Sequence, residues 1–161
     1  MSVVVYRIGL ALASSVADQA YGSILAAGRW HTLNDAVRAG AGQRRVIYAA
    51  SSRALVQLEK RVHANGVAPL GQALFRLTLP ARLAPADALA RDLDPGWRSS
   101  ESVSQAFGDH WLDAGLELAL WVPSYVEPLE HNLITNALHP RLSEVVLVRE
   151  RDPFVFDPRL N

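Results

Sequence analysis

The sequence predicts an α+β fold: a single compact domain spanning residues 1–161, with a mixed central sheet and flanking helices. Two observations carry this. The chain has 161 residues, half of them hydrophobic, which suits one domain with a substantial core. Strand-like and helix-like segments follow one another without a regular strand–helix–strand rhythm. There is no internal repeat and no low-complexity tract.

Val3 to Ile8 is an apolar run that reads as a first strand, and Ser15 to Tyr21 as a short helix. Gly28-Arg29-Trp30 opens a polar loop running to about Gln43, with Gly40 and Gly42 as breakers. Val46 to Ala49 is a buried type of strand. Ser51 or Ser52 then caps a helix that ends at Asn65-Gly66, where glycine supplies a left-handed cap. Leu74 to Leu79 alternates as a strand does. Pro85 to about Leu93 predicts a short helix with Pro in its first turn. Val103, Phe107 and Trp111 recur every four residues and give a helix over Glu101 to Ala114 an apolar stripe. Leu116 to Val122 is a strand. PSYVEPLEHNLITNALHP, Pro123 to Pro140, reads as a long polar loop with three prolines, a length more often functional than idle. Glu144 to Arg149 is a strand, and PFVFDPRL adds a short edge piece.

One position breaks the helical pattern. A helix turns about 100° per residue, so with Leu55 as origin Leu58 falls at about 300°, Val62 at about 340° and Glu59 at about 40°. Glu59 therefore sits on the margin of the apolar stripe, while Lys60 and Arg61 point to the solvent side. A covered carboxylate costs free energy unless it is paired or hydrogen-bonded. Glu59 is thus either half of a structural ion pair or part of a site.

Composition narrows the possibilities. Formal net charge is zero, which argues against general electrostatic binding to nucleic acid or membranes. The chain has no cysteine, which excludes disulfides and thiolate metal sites and is compatible with a cytoplasmic location. No apolar run approaches the roughly 20 residues that span a bilayer, and the N-terminus lacks a signal-peptide pattern. Lys60 is the only lysine against fifteen arginines, a bias that codon usage explains as well as function does. There is no GxGxxG, P-loop, HEXXH or GxSxG. His31, His63, His110, His131 and His139 show no metal-ligand spacing, so no metal site is expected.

Eight segments in order resemble the RES domain toxins of bacterial toxin–antitoxin pairs: YRIG at Tyr6, GRW at Gly28, VIYAA at Val46, LEKRVH at Leu58, FGDHWL at Phe107, WVPS at Trp121, EHNLITNALHP at Glu130 and FDPRL at Phe156. The Arg, Glu and Ser that mark the family look like Arg29, Glu59 and Ser124, and Tyr48 stands where the family has a strand tyrosine. Two stretches depart from the pattern: AYGSILAAGRW is less glycine-rich than usual, and the loop after Trp30 is longer.

The resemblance implies a fold similar to ADP-ribosyltransferases, with NAD as substrate rather than cofactor. It implies destruction of NAD by hydrolysis or phosphorolysis, or transfer of ADP-ribose to a protein. A catalytically silent, antitoxin-binding member is the third possibility. It also implies an Xre-type helix-turn-helix antitoxin covering the cleft, with a homodimer within the toxin–antitoxin complex as a candidate arrangement. A cleft open to NAD exposes apolar lining, so the free chain is expected to associate with itself or with antitoxin. In this reading Arg29 grips the two phosphates, with Arg7 a second candidate, against the alternative of a surface ion pair beside a packed Trp30. Glu59 stabilises positive charge on the ribose. Tyr48 stacks on or hydrogen-bonds the ligand, or is an ordinary half-buried strand tyrosine. Ser124 holds a phosphate or orients the substrate, or is a turn residue. Asn132 orders the loop or touches ligand, and His63 and His139 satisfy backbone groups.

Overall fold

Seven strands form one sheet in the order β4-β5-β6-β2-β1-β3-β7, in a computed structural model that describes residues 1–33, 42–67 and 69–160. The strands are β1 Val3–Leu10, β2 Val46–Ala50, β3 Gln72–Leu79, β4 Ala86–Asp87, β5 Ala119–Pro123, β6 His131–Asn136 and β7 Val146–Arg151. Helices α1 Tyr21–Leu25, α2 Arg53–His63 and α3 Glu101–Ala114 accompany them, with short 3-10 turns between. Every strand pair is antiparallel except β4–β5, so the mixed sheet of an α+β fold is present. No helix among the described residues is long and apolar enough to cross a membrane.

The alternation of side chains along a strand divides the core. Ile47 and Ala49 of β2 point to one face, where they join Val5, Phe75, Leu77 and Leu133. That face is closed by residues from short turns, such as Ala20 and Leu83. Val46, Tyr48 and Ala50 point to the other face. There α2 packs Leu55 and Val56 on Ile8, Ala50 and Leu74. Trp111 and Leu112 of α3 pack on Leu120, Val122 and Ile134, together with Trp30 and Trp97. The two helix-covered patches lie side by side, and β2 runs beneath both.

The helix α2 begins where the Ser52 hydroxyl accepts from the Leu55 amide at 3.0 Å. It ends before Asn65 and Gly66, both with positive φ. Its buried stripe differs from the expected one. Leu58 and Val62 are 48% and 58% exposed, and the inward pair is Leu55 and Val56. The face is therefore rotated, which brings Glu59, Lys60 and Arg61 under partial cover and corrects the outward placing of Lys60 and Arg61.

Four other expectations are corrected. Residues 85–93 form no helix: Ala86 and Asp87 pair parallel with β5, a 3-10 turn follows at Leu89–Arg91, and Asp92 closes it at φ 56°. Pairing at the sheet edge takes the place of the expected helix. The Pro123–Pro140 stretch is not one loop, because His131–Asn136 is strand β6, lying between β5 and β2. Its polar residues disguise it, yet Thr135 and Asn136 are buried, and Asn136 Nδ2 donates to the Leu112 carbonyl. PFVFDPRL forms no strand; the Phe154 amide donates to the Gln72 carbonyl, and Phe154 and Phe156 pack edge to face. Ser15–Tyr21 is a 3-10 turn, Ala17–Ala20, leading into α1. Gly40 and most of the long polar loop lie outside the described residues.

Candidate functional site

Between the two helix-covered patches lies a cleft of about 550 Å³. Its lining includes Arg7, Arg29, Tyr48, Glu59, Lys60 and Asn132. Five of the six residues expected from sequence line it, and the sixth, Ser124, sits directly behind one of them.

Glu59 answers the question its position poses. Oε1 accepts from the Ser124 hydroxyl at 2.8 Å and from Asn132 Nδ2 at 2.6 Å. A carboxylate only accepts, so the Asn132 amide nitrogen must face it. No cation lies within 4.0 Å of the carboxylate among the described residues, so Glu59 is not half of an ion pair. Its second oxygen, Oε2, has no partner among them. Chain pairing brings the three residues together. Asn132 lies opposite Ala50 and Val122 across β6, and Ser124 follows the end of β5. Ser124 is fully buried and its oxygen also accepts from the Glu127 amide, so its hydroxyl serves Glu59 and does not face the cleft.

Arg29 makes no ion pair. Nη2 donates to the Trp97 and Arg98 carbonyls at 3.0 and 3.1 Å, and the guanidinium lies 4.0 Å from the centre of the Tyr125 ring. Its Nε is buried with no partner. Trp30 beside it is packed as expected, stacked on Trp97 at 5.6 Å. A surface ion pair is thus not what holds Arg29.

Arg7 reaches the cleft from β1. β1 and β2 hold register only at Tyr6–Ala50, and beyond it Arg7 Nη1 donates to the Tyr48 carbonyl at 2.8 Å. Arg7 also has no carboxylate partner, and burial pulls its pKa down to about 10. Lys60 is lowered too, first by burial and then by the Arg7 charge. Three cations, Arg7, Arg29 and Lys60, therefore line a cleft with Glu59 and Glu101, and none of the three is ion-paired among the described residues.

Tyr48 stands on the floor of this cleft. Its hydroxyl accepts from the Trp30 amide at 3.2 Å and lies 2.7 Å from His31 Nδ1. Burial raises its pKa, so it stays a phenol. Gly28 permits the approach: a Cβ there would sit 2.6 Å from the Tyr48 oxygen. The segment is anchored to α3 through Thr32, whose amide donates to Asp109 at 2.9 Å, and through Gln105, which donates to the Gly28 carbonyl. Gly108 lets α3 lie against it, since a Cβ there would meet the Trp30 carbonyl oxygen at 1.8 Å.

Sequence reasoning missed His31 and Lys60 at the site. The step from GRW to His31 gave no periodic signal, and Lys60 was placed by an unrotated helix face. His63 and His139 do serve the backbone: His63 Nδ1 bonds the Glu59 carbonyl at 2.7 Å, and His139 Nδ1 accepts from the Arg141 amide.

The family model for the RES domain matches residues 4–157. The chain belongs to the RES domain family. A relative named "Prs ADP-ribosylating toxin", from Sphingobium sp. (strain YBL2), is 35% identical over 86% of this chain and 83% of its own. "Toxin Res" from Yersinia enterocolitica serotype O:8 / biotype 1B is 29% identical, with 98% of this chain and 99% of its own covered. "Toxin Res" from Photorhabdus laumondii subsp. laumondii is 26% identical over 98% and 97%. The RES match includes every candidate residue described above.

Proposed function

We propose that this RES domain protein is a toxin that breaks the nicotinamide–ribose bond of NAD. The observation that carries the reading is the Glu59 carboxylate, held by Ser124 and Asn132 with one oxygen free, in a cleft whose three cations lack acid partners. A dinucleotide presents two phosphates and a cationic nicotinamide ring. Arg29 suits the phosphates: its donors are not spent on a carboxylate, and Nη1 makes no hydrogen bond among the described residues. Arg7 and Lys60 add positive potential from the other side of the floor.

The chemistry asks little of the protein beyond electrostatics. The bond from the ribose anomeric carbon to nitrogen breaks, its electron pair leaving on the nicotinamide nitrogen, which loses its positive charge. The ribose becomes oxocarbenium-like. A fixed carboxylate, desolvated and preorganised, stabilises that charge where it develops. Ser124 and Asn132 spare Glu59 the reorganisation, because its position is set before the ligand arrives. An acceptor oxygen then bonds the anomeric carbon and gives up its proton to solvent. Nicotinamide is a good leaving group, so no strong acid is required.

Water, inorganic phosphate and a protein side chain are all chemically competent acceptors. The 35% identical relative is named for ADP-ribosylating Prs, which favours a protein acceptor as the second reading. Toxin relatives also support an antitoxin partner; exposed Leu58 and Val62 on α2 and Tyr125 at the cleft offer it an apolar rim. The test is product analysis with labelled NAD. Free ADP-ribose reports hydrolysis, the 1″-phosphate reports phosphorolysis, and label on protein after addition of extract reports transfer. Unchanged NAD under all three conditions overturns the reading.

A further inference from the structure

We infer that His31 is a positioning residue that commits the Tyr48 hydroxyl proton, so that Tyr48 offers the cleft an oxygen lone pair and takes a hydrogen-bond donor from the ligand. The proton assignment follows from the partners. His31 Nε2 lies 3.0 Å from the Ser23 carbonyl oxygen, which can only accept, so Nε2 carries a hydrogen. In the neutral ring Nδ1 is then the acceptor, and at 2.7 Å from the Tyr48 oxygen it takes the phenolic proton. The Trp30 amide supplies a hydrogen to the same oxygen at 3.2 Å. What the phenol has left is a lone pair.

The ring is held neutral by its surroundings. His31 is 1% exposed, and burial is the largest influence lowering its pKa. The Ser23 and Ala26 carbonyls and Asp109 pull the other way, and Arg44 opposes them. Ser23 is itself fixed, its hydroxyl donating to the Ala20 carbonyl at 2.7 Å and accepting from the Val46 amide at 2.9 Å. The chain of bonds thus runs from β2 through Ser23 and His31 back to β2, and Gly28 closes over it: a Cβ there would also lie 3.0 Å from His31 Nδ1.

The inference deepens the NAD reading and its ligand half rests on it. The carboxamide of nicotinamide carries N–H donors. The carboxylate of the nicotinic acid dinucleotide carries none and would set two acceptors against each other. A site built to accept from an N–H discriminates against a ligand lacking it, because its own polar atom is left unpaired.

Two measurements test it. Long-range proton–nitrogen NMR at pH 7.5 should show His31 neutral with the hydrogen on Nε2; a hydrogen on Nδ1, or an imidazolium, overturns the inference. Binding of the amide and acid dinucleotides is then compared in a Glu59→Gln background that halts turnover. The preference for the amide should shrink by about tenfold in Tyr48→Phe and in His31→Ala. It should persist in His31→Asn, whose Oδ1 can stand near the Nδ1 position and accept the same proton. An unchanged preference in Tyr48→Phe sinks the proposal. Should neither dinucleotide bind, the NAD reading fails, and the nitrogen shifts alone decide whether His31 holds the Tyr48 proton.

Discussion

At the residue scale the site is organised by what Glu59 does not have. A half-covered acid without a cation must be satisfied by neutral donors, and Ser124 and Asn132 provide them on a single oxygen. Ser124→Ala and Asn132→Ala should each reduce nicotinamide release by about tenfold while leaving far-UV circular dichroism unchanged, the size expected for one charge-assisted bond. An unaltered rate in both would show that the free Glu59 is competent without them. Gly28 is a second sensitive point. Gly28→Ala puts a methyl group against the Tyr48 hydroxyl and should cost about 1–3 kcal/mol in urea unfolding.

At the element scale the helix α3 decides how closely the Arg29 segment can lie. Gly108→Ala, at a buried position of α3, should cost at least about 2 kcal/mol, because the obstructing atom is a backbone carbonyl that no rotamer change can move. A wild-type unfolding midpoint in that variant would mean α3 has room to slide. The elements also show where the sequence was legible. Strands such as Val3–Leu10 and Val46–Ala50 announce themselves by apolar runs, and α2 by its Ser52 cap. The strand β6 did not, because Thr135 and Asn136 are polar yet buried and Asn132 is half-buried, with Asn132 and Asn136 satisfied by partners distant in sequence, Glu59 and Leu112. Asn132, expected in a loop, reaches Glu59 from a central strand instead. His31 stayed hidden for the same reason: its partners Ser23 and Tyr48 lie 8 and 17 residues away.

At the scale of the whole molecule, zero net charge conceals a local excess of positive charge in the cleft. Affinity for inorganic pyrophosphate or ADP-ribose should therefore fall as salt rises from about 50 to about 500 mM, a range over which the Debye length shortens severalfold, and isothermal calorimetry reads it directly. Stability should also depend on pH through His31. Its folded pKa is lowered, so the unfolded chain binds the extra proton as pH falls below about 6.5, and stability present above that pH is lost on acidification. The lowered carboxylates Asp18, Asp113, Glu144, Glu150 and Asp157 lose their contribution only at lower pH. Between pH 7.5 and 5.5 the fall should thus be smaller in His31→Asn than in the parent protein; equal slopes would remove His31 as the cause.

On the proposed function Glu59, held without a cation in a cationic cleft, acts on NAD. The most direct test is the rate of nicotinamide release by the purified protein and by Glu59→Ala, both verified as folded by thermal unfolding. The account predicts release by the parent and a loss of about 10²–10³-fold in the variant. Release that survives the substitution, or a folded parent protein that leaves NAD intact with water, phosphate and protein acceptors all supplied, would contradict it.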